Sequence, residues 1–159
     1  MNTFFLYSSD VKLAKGSILE EDILLGKNVF VGEKSILHQA IIGSNCQIGR
    51  NVSIRNCIIY DNVIIGNNCQ LVDSVIGKSV RLGKDVIVHE KCIFGDNVQI
   101  QEKTEIPQET WLVSEKPSSG FSDDDDEEGL FVYFKNYSFF SQWGRKFKKV
   151  QAKKTHEIK

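Results

Sequence analysis

The chain has 159 residues, with 20 Lys plus Arg against 21 Asp plus Glu and a formal net charge of −1. That length holds about one domain with its own core, and the charge balance excludes both a uniformly basic nucleic-acid binder and a chain kept unfolded throughout by self-repulsion. Four Cys are too few for a disulfide-built miniprotein, and no apolar run approaches the roughly eighteen residues of a membrane span. Phe4, Phe5 and Leu6 form a short apolar cluster with neither a basic flank before it nor a long apolar stretch after it. No signal peptide is read there, and a cytoplasmic protein with reduced thiols is expected.

Residues 1–10 form an N-terminal segment, after which a repeat begins. Large aliphatic or aromatic residues recur at Leu13, Leu19, Leu25, Val31, Leu37, Ile42, Ile48, Ile54, Ile59, Ile65, Leu71, Ile76, Leu82, Val88, Phe94, Ile100, Ile106 and Leu112. Most steps are six residues; those from 37 to 42, 54 to 59 and 71 to 76 are five, which sets a 17-residue period of three short strands per turn. Four positions after these residues stand second apolar or small ones: Val29, Ile41, Cys46, Val52, Ile58, Val63, Cys69, Val75, Val80, Val86, Cys92 and Val98. Even spacing along a strand means the same side, so both sets are expected inside. Gly directly follows the large residue at eight positions, and Asn stands three after it at 28, 45, 51, 62, 68 and 97, both types that tolerate tight corners.

An amphipathic helix needs apolar residues three and four apart, whereas a six-residue step advances a helix by about 600° and scatters them around the cylinder. The pattern therefore predicts an all-β fold, a triangular parallel β-solenoid over 11–112 with about six coils, each rising ~4.8 Å, so that the prism stands on the order of 28 Å tall. This repeat resembles the hexapeptide-repeat, left-handed β-helix family. Left-handedness is what that resemblance implies, since the general crossover rule favours the other hand.

Many proteins of that family are acyltransferases and some are zinc hydratases that place His between trimer subunits. His38 and His89 are the candidates within the repeat. Three 17-residue coils apart, they share one column with Arg55 and Val72 between them, and about 14 Å separates their rings, too far for one zinc with nitrogens about 2 Å away. No loop is extruded from the coils between 25 and 112 to wall in a pantetheine arm, so both are expected to be solvated corner residues. Cys46, Cys69 and Cys92 fall at the inner small position in three different columns, with Cys57 next to it, and are read as core filler. No C-x-x-C pair and no phosphate-binding Gly loop is present; no catalytic residue, cofactor or metal site is assigned.

The repeat stops after Leu112. Residues 113–129 read as an acidic linker, with Pro117 and then six consecutive acids, Asp123 to Glu128, which repel one another and stay solvated. Residues 130–159 change character again: eight Lys or Arg stand against Glu157, interleaved with Phe131, Tyr133, Phe134, Tyr137, Phe139, Phe140, Trp143 and Phe147. Such a segment could stack on single-stranded nucleic acid or lie on an acidic membrane, but the blander readings, a tail folding back on the acidic tract or a disordered one not selected for folding, are preferred.

The stretch Ile41-Ile42-Gly43-Ser44-Asn45-Cys46-Gln47-Ile48-Gly49-Arg50-Asn51-Val52, with Ile58-Ile59-Tyr60-Asp61-Asn62-Val63 and the acids after the last coil, resembles the β-helix of the epsilon subunit of eukaryotic translation initiation factor 2B. The resemblance covers about Val11 to Gly129. It implies a non-catalytic assembly module of a guanine nucleotide exchange factor, partnered by the gamma and other subunits of that factor and by initiation factor 2, with no direct contact to nucleic acid or membrane. The family's nucleotidyltransferase-like domain before the coils and HEAT-type exchange domain after the acids are expected to be missing from this chain, and exchange activity with them. A trimeric acyltransferase is the alternative.

Overall fold

The computed structural model describes residues 4–113 and the strand Phe131–Phe134. Strands are numbered along the chain and fall on three faces. The first face stacks β1 (Phe5–Tyr7), β4 (Ile23–Leu25), the second half of β6 (Ile36–Ile42), the second half of β8 (Ser53–Ile59), β11 (Val75–Ile76), β14 (Ile93–Phe94) and β17 (Thr110–Val113). The second stacks β2 (Lys12–Leu13), β5 (Phe30–Val31), β7 (Gln47–Ile48), β9 (Ile64–Ile65), β12 (Arg81–Leu82) and β15 (Gln99–Ile100). The third stacks β3 (Ile18–Glu20), the first halves of β6 and β8, β10 (Gln70–Val72), β13 (Ile87–Val88) and β16 (Glu105–Ile106). Every pairing within these stacks is parallel, and the architecture is a left-handed β-helix: the solenoid of about six coils that the repeat predicts, with the hand that the resemblance implies.

The stack begins with β1, paired to β4 from Phe5↔Ile23 to Tyr7↔Leu25, so the short N-terminal apolar cluster contributes a strand to the first coil. On the first face Leu25, Ile42, Ile59 and Ile76 stand 17 residues apart, whereas Phe94 and Leu112 follow at 18. The corner between Val88 and Phe94 holds one residue more than those at Leu37–Ile42, Ile54–Ile59 and Leu71–Ile76, and the parallel pairing of β14 with β11 and β17 continues across it. In the tail, Phe131–Phe134 forms β18, antiparallel to β17. The expected disorder of 130–159 thus does not extend to these four residues; the rest of that expectation, and the solvated acidic run, lie outside the described residues.

From Leu25 to Leu112 the large positions of the repeat are buried without a gap. The second inner set needs a correction. Val29, Cys46, Val52, Val63, Cys69, Val80, Val86, Cys92 and Val98 are buried as expected, but Ile41 and Ile58 are exposed and Val75 is only half-buried. Ala40, Cys57 and Ser74 take the inner place instead. The inner small residue always lies two before the next large one, because that pair shares a strand; counting forward from the previous strand fails wherever the corner is one residue short.

Corner geometry divides labour between Asn and Gly. Asn28, Asn45, Asn51, Asn62, Asn68 and Asn97 all sit at φ between 54° and 62°, the left-handed region in which a short amide side chain is tolerated. Several also form ladders between coils, as where Asn28 Nδ2 donates to Asn45 Oδ1 at 3.1 Å and Asn51 Nδ2 to Asn68 Oδ1 at 3.2 Å. The glycines after the large residues do not have positive φ. They answer to close approach: a Cβ on Gly32 would lie 2.3 Å from the Gly49 carbonyl oxygen, and one on Gly66 2.4 Å from that of Gly83.

An apolar ladder on the first face as the candidate functional site

A strand two or three residues long offers one outward side chain per coil. On the second face these are Lys12, Phe30, Gln47, Ile64, Arg81 and Gln99, a mixed series. On the first face the register runs Leu6↔Leu24↔Ile41↔Ile58↔Val75↔Ile93↔Trp111 without a polar residue. Ile41 is 45% exposed beside buried Ile42, and Ile58 42% beside buried Ile59. At ~4.8 Å per coil the ladder stands on the order of 29 Å tall. Its rim is polar, with Gln39, Asn56 and Asp73 at the corners on one side and Ser44, Asp61 and Lys78 on the other. An apolar stripe inside a polar rim is the anatomy of a protein-docking surface.

Sequence reasoning missed this site because it assigned Ile41, Ile58 and Val75 to the interior. A signal was available: in Ile41-Ile42, Ile58-Ile59 and Val75-Ile76 two apolar residues are adjacent, and neighbours on a strand cannot face the same way.

The histidines stay apart. His38, paired in register with Arg55, lies near two carboxylates, Nδ1 3.7 Å from Glu20 Oε2 and Nε2 3.9 Å from Glu21 Oε2. His89 Nε2 lies 2.7 Å from Glu105 Oε1 at an open groove that Pro107 and Gln108 also line. Among the described residues, no three His, Cys, Asp or Glu side chains gather in a way that would hold a metal ion.

All four cysteines are buried and free. Desolvation raises every one of these thiols above its ordinary range, Cys57 to about 11, although backbone hydrogen bonds partly offset it. Cys46 Sγ lies 3.1 Å from the Tyr60 carbonyl oxygen and Cys69 Sγ 3.1 Å from that of Gly83, as expected of weak thiol donors filling core positions. Ser35 uses the same small position: its hydroxyl donates to the Gly49 carbonyl at 2.8 Å and accepts from the Val52 amide at 3.1 Å.

Three parallel faces, short strands and left-handed corners define the class, a left-handed β-helix of the hexapeptide-repeat type. Solved structures share the fold. A hexapeptide transferase family protein from Anaplasma phagocytophilum aligns with a TM-score of 0.61 at 16% identity, over 76% of this chain and 80% of its own. The acetyltransferase domain of PglB from Neisseria gonorrhoeae FA1090 aligns with a TM-score of 0.59 at 14% identity, over 65% of this chain and 54% of that one, so this chain spans about half of its length. At such identities the likeness concerns the fold alone. Residues 3–106 match the family described as EIF2B subunit epsilon LbH domain, and the chain belongs to that family. No curated protein matches it.

Proposed function

We propose that the chain is a non-catalytic assembly module of the exchange factor acting on translation initiation factor 2, and that the gamma subunit of initiation factor 2B docks on its first face. Family membership supports the context, and the apolar ladder is the observation that carries the docking role. Completing the burial of a half-exposed Leu or Ile contributes about 1 kcal/mol, so Leu24, Ile41, Ile58, Val75 and Ile93 together supply several. Association costs at least about 4 kcal/mol in lost freedom, so the polar rim must also make contacts. A stripe one side chain wide covers less than the ~800 Å² per partner of an ordinary stable interface, which again calls on the rim.

The test is titration of the full chain with purified gamma subunit. Ile41→Glu/Ile58→Glu should weaken binding at least about tenfold with the coils intact, as expected when the centre of an interface is lost. Undiminished binding of that variant sinks the reading. Other subunits of the factor and initiation factor 2 itself complete the partner set, nucleic acid and membrane have no part in it, and the cytoplasm is the compartment it takes. The coils are assigned no exchange activity of their own; acceleration of GDP release that survives deletion of 113–159 would overturn that assignment.

One observation favours the acyltransferase alternative: the His89–Glu105 pair at an open groove, an arrangement suited to a general base. Acetyl coenzyme A binding by a homotrimer, lost in His89→Ala, would decide for it.

A further inference from the structure

The first-face sheet ends on β17, and the way it ends differs from every step below it. Parallel stacking leaves the amides and carbonyls of the last strand directed up the solenoid axis, ready to pair with one more coil. The hexapeptide repeat supplies no further coil; the edge is filled instead by β18, antiparallel, with pairs Thr110↔Phe134, Trp111↔Tyr133, Leu112↔Val132 and Val113↔Phe131. A tight hairpin fixes its register by a two- to five-residue turn, whereas here residues 114–130 intervene, with six consecutive acids among them. A connection of that length does not force the two strands together. The pairing must come from the edge itself and from a Phe-Val-Tyr-Phe segment made of residue types that favour extended, paired backbone.

We propose that the outer edge of β17 is a strand-docking site that accepts a short aromatic, β-branched segment in antiparallel orientation, and that Phe131–Phe134 of the same chain is its built-in occupant. Main-chain hydrogen bonds supply the affinity, as in strand addition to an exposed sheet edge. Tethering supplies the preference for the chain's own segment, since covalent linkage through 114–130 makes the pairing intramolecular, with an effective concentration on the order of millimolar. Two consequences follow. The open edge of the first-face sheet is closed to other chains, and the six acids come to lie in sequence between two strands that are paired with each other. The site is independent of the apolar ladder, because β17 bonds along the solenoid axis whereas the ladder faces sideways.

The experiment uses the full chain and a labelled synthetic peptide spanning residues 129–136. Successive amides of a strand point alternately to its two sides, so Val132→Pro/Tyr133→Pro removes at least one amide directed at β17 and frees the edge. The peptide should bind this variant at least about tenfold more tightly than the unaltered chain, whose edge the tether keeps filled. Equal binding to both, or binding to neither, overturns the proposal. Hydrogen exchange on the unaltered chain is the second measurement and needs no variant. Protected amides in Phe131–Phe134 at all protein concentrations support the assignment, and exchange there at the rate of an unstructured peptide overturns it. Protection that appears only where sedimentation detects a dimer assigns the strand to a second copy, and the built-in occupant falls.

Discussion

Two ladders run up the first face one residue apart. Ile42, Ile59 and Ile76 point inward and are sealed; Ile41, Ile58 and Val75 stand next to them in the same strands and point outward. Chemically the two series are nearly the same, and hydropathy does not distinguish them. Strand alternation does: the inner ladder touches its counterparts from the other two faces, while the outer one has only its own neighbours above and below. The comparison teaches that apolar character here has two uses, holding the coils together and offering a surface, and that position within the strand decides which.

The sharpest way to break the comparison is one substitution applied to each ladder. Ile59→Asp buries an unpaired carboxylate among aliphatics, costs more than about 4 kcal/mol, and should abolish the cooperative thermal transition. By the same physics Ile65→Asp on the second face should behave alike. Ile58→Asp should leave stability within about 1 kcal/mol, measured by denaturant titration, while gamma-subunit binding falls. Similar loss of stability from Ile58→Asp and Ile59→Asp would erase the distinction.

Coil spacing, which keeps both ladders in register, is tested by Gly66→Ala. The added Cβ meets the Gly83 carbonyl at 2.4 Å, and parting the coils should cost about 1–3 kcal/mol, read as a lowered midpoint. The sealed side is probed through its thiols. Cys57 titrates at about 11 in the fold against 9.0 ordinarily, so between pH 9 and 11 the unfolded chain has lost a proton that the native chain keeps. Stability from this group is therefore fully present below pH 9 and declines by roughly 2–3 kcal/mol as pH rises through 11, and at pH 8 a thiol reagent should label the cysteines only after denaturation. The smallest effect is expected from His38→Ala and His89→Ala. Their exposed carboxylate contacts are worth little, so thermal stability should stay within about 0.5 kcal/mol and gamma-subunit binding unchanged.

The large residues from Leu25 to Leu112, the three-strand turn and the column shared by His38 and His89 could all be read from the sequence, because a solenoid builds its core from local, evenly spaced positions. The assignment of Cys46, Cys69 and Cys92 to the interior of different faces was readable for the same reason. Tertiary structure decided the rest. That Ile58 rather than Cys57 faces outward follows from alternation about Ile59, but that the outward residues Ile41, Ile58 and Val75 align into one exposed ladder depends on how the coils stack. The role of Gly32 and Gly66 is likewise invisible along the chain, since what excludes a Cβ is a carbonyl 17 residues away. The pairing of Phe131–Phe134 with β17 spans 114–130 without any periodic signal, and an antiparallel strand at that distance is selected by a free edge, which exists only once the coils have stacked.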